Sequence, residues 1–247
     1  MIDNITKTLI DEFKLKEFQV VNTIKLIDEG NTIPFIARYR KEVTGELSDE
    51  VLRNLYERLC YLRNIEEKRA EVIRLIDEQG LLTEEITASI NNAKTITEID
   101  DIYRPFRPKR RTRATIAKEK GLEPLSEKLL EQNKNFDILE FAKEFVDLEK
   151  GVETVDDAIL GAMDIIAETI SDNADFRKEL REKTYKQGTI TTKATKEEDS
   201  VYSMYYEFSE PVSKIANHRI LAINRGEKED YLGVKIDVDE DTMTQYL

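Results

Sequence analysis

With 247 residues, 40% of them hydrophobic and 36% charged, the chain is long enough for one large domain or two modest ones. Its charge content exceeds the usual figure of about 25%, which favours elongated helices over a deep globule, and 9 Gly with 5 Pro are too few for the reversals of a β-sandwich or barrel. One Cys and one His exclude a disulfide framework, a Cys/His zinc site and a Cys-x-x-Cys redox centre, and the formal charge of −13 argues against strong overall attraction to nucleic acid.

The expected class is therefore mainly α, and the elements follow in chain order. Ile5, Leu9 and Phe13 share a face of a first helix at 4–13, and Val20, Ile24 and Ile27 do so in a second at 17–29, where Gly30 stands as a terminator. Pro34 fits the first turn of a third, short helix through IPFIARYRKE. Ser48 followed by Asp49 and Glu50 caps a long strut. Leu52, Leu55, Leu59, Leu62 and Ile65 repeat along it, the stripe lapses at Arg69 and resumes at Val72 and Ile76. Roughly 30 residues would span about 45 Å, and the lapse predicts one helix packed on two different neighbours rather than a sustained coiled coil.

Short helices are expected at 83–92 and 95–103, then near 114–121, 124–132 and 136–146. Thr154 with Asp157 resembles a capping box opening TVDDAILGAMDIIAETI, whose face of Val155, Ile159, Met163, Ile166 and Ile170, widened by Ala158, Ala162 and Ala167, makes this helix central to a core. Residues 172–184 read as another helix. At most a short strand or hairpin is expected near 185–195 and 233–238; between them HRILAINRGEKE reads as a helix stopped at Gly226, and an acidic tail follows. No repeat of 20 to 50 residues is evident, so a solenoid is not supported.

Cys60 lies in a helical pattern, where a buried thiol in a reducing, cytoplasmic setting is expected. The amino terminus lacks an apolar signal core and no apolar run is longer than Ile220–Ile223, far short of the roughly 20 residues of a membrane helix. A soluble protein with no membrane partner is expected.

The charge is unevenly spread. Residues 104–113, RPFRPKRRTR, hold Arg104, Arg107, Lys109, Arg110, Arg111 and Arg113 and no acid, one basic island in an acidic chain. Arginine and lysine neutralise phosphate and release counterions, and Tyr103 and Phe106 are placed to stack on unpaired bases. The competing reading is that surplus acids clamp the run in surface ion pairs. Pro105 and Pro108 bias Arg104 and Arg107 toward extended backbone, so the segment is expected as an exposed connector between sub-lobes 1–103 and 114–247. In IPFIARYRKE, Arg38, Arg40 and Lys41 are candidates to face a duplex, although Ile33, Ile36 and Ala37 need burial and the element serves equally well as packing.

Catalysis has little support. Asp164 with Glu168, and Asp100 beside Asp101, would need a histidine that is not nearby, and carboxylates at helical spacing are usually a solvated face. His218 with Arg219 is a weak phosphate-facing candidate. There is no Gly-rich phosphate loop or nucleophile motif, so no catalytic residue, metal or cofactor is expected.

Four stretches, GNTIPFIARYRKEVTGELSDE, DIYRPFRPKRRTRATIAKEKGLEPL, GAMDIIAETISDNADFR and EFSEPVSKIANHRILAINRGEKE, resemble the bacterial Tex family of transcription accessory proteins. They occur in the family's order and cover most of residues 1–236. The resemblance implies an amino-terminal multihelical region with a helix-turn-helix-like element, belonging to a longer protein with RNase-H-like, helix-hairpin-helix and OB-fold RNA-binding parts. The chain ends before those parts, so it is expected to be a piece of a longer protein rather than a naturally short one. Two departures stand out: Met163 replaces an arginine usual in the family, and VYSMYYEF lacks a basic residue often found before SEP.

The expected function is a non-catalytic helical scaffold acting in transcription, with a secondary nucleic-acid surface for RNA or DNA centred on residues 104–113. The alternative is a protein-interaction platform docking on the transcription machinery. Downstream domains of the same protein are the other expected partners.

Overall fold

The structure, a computed structural model, describes residues 3–108, 110–133, 135–196 and 198–247. The chain divides into two compact units, Met1–Tyr103 and Arg104–Leu247. Among the described residues, fourteen α-helices and one small antiparallel sheet make the fold mainly α, and no helix is long and apolar enough to cross a membrane.

In the first unit, α1 (Asn4–Phe13) is capped by the Asp3 carboxylate, which accepts from the Thr6 amide. It is followed by α2 (Glu17–Asp28), α3 (Ile33–Tyr39), α4 (Lys41–Thr44) and the 29-residue α5 (Asp49–Asp77), capped by Ser48. The expected single helix through 33–42 is two helices, because Arg40 leaves helical geometry at φ −132°. Gly45 then turns left-handed at φ 65°, where a Cβ would lie 2.9 Å from the Phe18 ring. Along α5, Leu55 and Leu59 pack with Leu9 and Val20, while Leu52 packs with Leu26, Ile36 and Leu47. Cys60 is half-buried rather than buried.

Around the lapse in its stripe the strut meets other neighbours, α6 (Glu84–Asn92) and α7 (Ile96–Tyr103), with Lys68 3.7 Å from Asp100 of α7. Arg69, at the lapse, donates to the Ala93 carbonyl just past the end of α6, where a cation suits the helix dipole.

Two bidentate pairs tie α1 and α2 to the strut: Arg58 on Glu12 at 2.7 and 2.6 Å, and Arg63 on Asp28 at 2.8 and 2.9 Å. The guanidinium hydrogen bonds hold both carboxyls below their ordinary values, against the opposing effect of partial burial. A lowered carboxyl stabilises the fold above the unfolded value, and that contribution is lost as pH falls through the lowered one. The side chains of Glu12 and Asp28 are 39% and 49% exposed, so solvent screening limits each pair to no more than about 1 kcal/mol. The expected result is that Glu12→Gln and Asp28→Asn are destabilising at neutral pH and approach wild type in acid. Chemical unfolding across pH checks this; a deficit that persists undiminished in acid would exclude it.

The second unit opens with a 3-10 turn at Arg104–Phe106. It continues with α8 (Arg113–Glu119), α9 (Glu123–Leu130), α10 (Ile138–Ala142), α11 (Val155–Asp172) and α12 (Ala174–Gln187). Thr154 and Asp157 form the expected capping box. Ala158, Ala162 and Ile165 of α11 are buried against Ala114, Ala117, Leu122 and Leu125, so the small-residue face lets α8 and α9 approach closely.

After α12 come β1 (Thr189–Ala194), β2 (Glu207–Pro211), α13 (Asn217–Lys228), β3 (Leu232–Asp237) and α14 (Glu240–Tyr246). The sheet order is β2-β1-β3, all antiparallel, with Thr192 opposite Phe208 on one side and Val234 on the other. Tyr202, Tyr205, Ile223 and Leu232 form its core. Strand β2 lies in EFSEP, where no alternation pattern announced it. Nor does α13 stop at Gly226: it runs to Lys228, and the glycine serves close packing, since a Cβ there would lie 2.6 Å from Leu232 Cδ1.

Candidate nucleic-acid interface

The basic run is shaped by its own sequence. Arg104–Phe106 is a 3-10 turn rather than extended backbone, with the Arg107 amide donating to the Arg104 carbonyl at 3.3 Å; Pro105 supplies a fixed φ and gives up no helical donor that the turn needs. Thr112 then caps α8 through Oγ1, which accepts from the Thr115 amide at 3.1 Å. The same hydroxyl donates to Glu168 Oε1 at 2.9 Å, seating the run on α11.

Glu168 belongs to a stripe. Asp164, Glu168 and Asp172 recur every four residues of α11 and so line one face. Arg104 Nε reaches Asp172 at 2.9 Å, and Arg113 Nε lies 3.5 Å from Asp164. On the outer side Arg111 donates to Glu119 of α8 at 2.8 Å. Between run and stripe lies a cleft of about 450 Å³, with Arg107 and Arg110 also in its wall.

The guanidinium groups thus differ in duty. Arg104 meets a carboxylate that is only 11% exposed, whereas Arg113 is 86% exposed and held at longer range. Exposed pairs of the second kind contribute about 0–1 kcal/mol, which a phosphodiester can match. Arg110 is exposed as well. Lys109 lies outside the described residues. Tyr103 is buried at 7% exposure, so it offers no stacking face to a base; Phe106 is half-buried.

The other sequence candidates fall elsewhere. Arg38, Arg40 and Lys41 are exposed on α3 and α4 of the first unit, where Ile36 is fully buried and Ile33 and Ala37 pack beside it. His218 is exposed at the start of α13, but Arg219 is turned onto β2, donating to Glu210 at 2.7 Å, so the two do not face one phosphate. Asp164 and Glu168 each have a partner in the basic run, Arg113 and Thr112 respectively. Asp100 lies 3.7 Å from Lys68, and Asp101 is buried. Among the described residues no group of three or more His, Cys, Asp or Glu is placed to hold a metal ion. The feature that sequence reasoning missed is Asp172, whose signal was its place as the third acid at a spacing of four.

Two family descriptions match the chain: the Tex-like protein N-terminal domain over residues 3–77 and the Tex central region-like segment over residues 133–246. The chain is 43% identical to the YdcI protein of Bacillus subtilis and 39% identical to the transcriptional accessory protein Tex of Neisseria gonorrhoeae, in each case over 98% of its own length. It is 29% identical to the human S1 RNA-binding domain-containing protein 1, again over 98% of its length. It spans 34%, 32% and 25% of those three relatives respectively. Motif order, helical architecture and these matches agree that the chain belongs to the Tex family and corresponds to its amino-terminal and central regions.

Proposed function

We propose that the chain is a non-catalytic helical scaffold of a transcription-associated protein, and that its basic run makes a secondary, salt-sensitive contact with nucleic acid. The observation that carries the reading is the division of labour within residues 104–113. Arg104 and Thr112 clasp the acidic stripe of α11 at 2.9 Å each, a structural use, while Arg110 and Arg113 remain exposed at the mouth of the same cleft. Relatives named for transcription and for an S1 RNA-binding domain support the setting. With an acidic chain around it, the contact is weak and local, adding to whatever the rest of the protein binds.

The test is a titration of the chain with labelled RNA and DNA, single- and double-stranded, over a range of salt, beside an Arg110→Glu/Arg113→Glu variant. We expect wild-type affinity to fall with salt, and the variant to bind several-fold more weakly with a shallower log–log slope, since each phosphate contact contributes about −0.7 to −0.9 to that slope. Equal binding by the variant would remove the basic run from the interface.

A protein-docking platform is the second reading. It is favoured by Leu160 and Met163, an apolar pair 60% and 53% exposed at adjacent turns of α11.

A further inference from the structure

The outward face of α3 is not an ordinary solvated surface. Ile33, Ile36 and Ala37 turn inward, which places Phe35, Arg38 and Tyr39 outward at the same helical spacing. Phe35 and Tyr39 are 36% and 56% exposed. Their ring centroids are 5.3 Å apart with the planes tilted by 48°, so two aromatic rings lie side by side at the surface. Arg40 lies 5.3 Å over the Phe35 ring and Arg38 6.0 Å from the Tyr39 ring, and Lys41 follows at the start of α4. Residues 33–41 contain three cations and no acid. Among the described residues Arg38, Arg40 and Lys41 make no ion pair, although the chain as a whole is at −13.

From this juxtaposition we infer that the Phe35–Tyr39 pair and the cations Arg38, Arg40 and Lys41 form a binding platform for single-stranded nucleic acid, with unpaired bases stacked on the rings and phosphates met by the cations. A base has an aromatic face whatever its identity, so ring stacking tolerates sequence. A duplex keeps those faces inside its own stack and would use only the cations. The patch therefore selects strands over duplexes, a different mode from groove reading by the same helix. It lies in the first unit and does not depend on the cleft of the second.

The test uses anisotropy of labelled, unstructured RNA and DNA strands and of a duplex, with the chain carrying Arg110→Glu/Arg113→Glu so that the basic run is silenced in every arm. In that background we expect single strands to bind with salt dependence. Phe35→Leu/Tyr39→Leu keeps apolar bulk and charge but removes the rings; it should weaken strand binding roughly tenfold or more, leaving duplex binding and the salt slope unchanged. Arg38→Gln/Arg40→Gln/Lys41→Gln should instead flatten the log–log slope by about 2 units, three contacts at about 0.7 each. Ultraviolet cross-linking should place bases on the peptide holding residues 35–39. The inference is overturned if the silenced background binds no strand, if the leucine variant binds strands like its parent, or if strand and duplex lose equally. The two readings fail separately, because one is read from Arg110 and Arg113 and the other from α3.

Discussion

Gly161→Val is expected to destabilise the second unit by about 3 kcal/mol, the upper end of what overpacking a filled core costs. Gly161 sits in the middle of α11 opposite the junction of α8 and α9. A Cβ there would lie 2.4 Å from Leu122 Cδ1 and 3.5 Å from the Ala117 methyl. The nearer atom ends a side chain that rotates in isolation, but Leu122 is 1% exposed and boxed in with Ala117 and Leu125, so its movement displaces other core atoms. Alanine is the informative control. It brings the same clash, yet recovers about 1 kcal/mol through helix propensity and should fall much closer to wild type than valine, which adds two further carbons and, being β-branched, recovers less of that gain. The consequence reaches the interface, because the α11 face that contacts α8 also positions Asp164 and Glu168 under Arg113 and Thr112. Hydrogen exchange in α8, α9 and α11, read beside denaturant unfolding, measures it. A valine variant within about 0.5 kcal/mol of wild type would mean that Leu122 has room to move that the packing denies it.

The same glycine marks where sequence reading stops. Helix positions were legible wherever apolar spacing and a cap coincided: Ser48 and the leucine stripe locate α5, and Thr154 with Asp157 locates the start of α11. Even the lapse at Arg69 carried information, since the strut changes neighbours there. What could not be read is contact between segments distant in the chain. Gly226 looked like a terminator because glycine often is one, whereas its lack of a Cβ is used by Leu232. Strand β2 is defined by its pairing with β1 rather than by its own pattern. The basic run was visible as charge, but that Arg104 closes on Asp172, 68 positions away, depends on how α11 lies against the run. Tyr103 reads as a stacking residue by its neighbours and is buried by its fold. For α3 the balance is reversed. The sequence marks Ile33, Ile36 and Ala37 as the positions that need burial, and only the structure shows Phe35 and Tyr39 exposed beside each other.

Leu52→Ala should have the other large effect, a loss of about 2–5 kcal/mol in the packing of the first unit. Leu52 is fully buried among Leu26, Ile36 and Leu47, and Ile36 is the fully buried residue by which α3 rests on the strut. A helix of seven residues has no stability of its own, since isolated helices shorter than about 12–15 residues are marginal in water. Removing three side-chain carbons beneath it therefore promotes opening of α3 before the rest of the unit. Amides of residues 36–40 should exchange about 30-fold faster for each 2 kcal/mol lost, while those of α6 and α7, which meet α5 farther along at Lys68 and Arg69, change much less. The Phe35–Tyr39 pair exists only while positions four apart share a helical face. Leu52→Ala should consequently weaken strand binding although it touches no ligand. Cooling toward the temperature of maximum stability should restore much of that binding, a recovery unavailable to Phe35→Leu/Tyr39→Leu, whose helix stays folded but lacks the rings. If Leu52→Ala accelerates exchange equally across α3, α6 and α7, the unit opens as one body and α3 has no independent hold to lose.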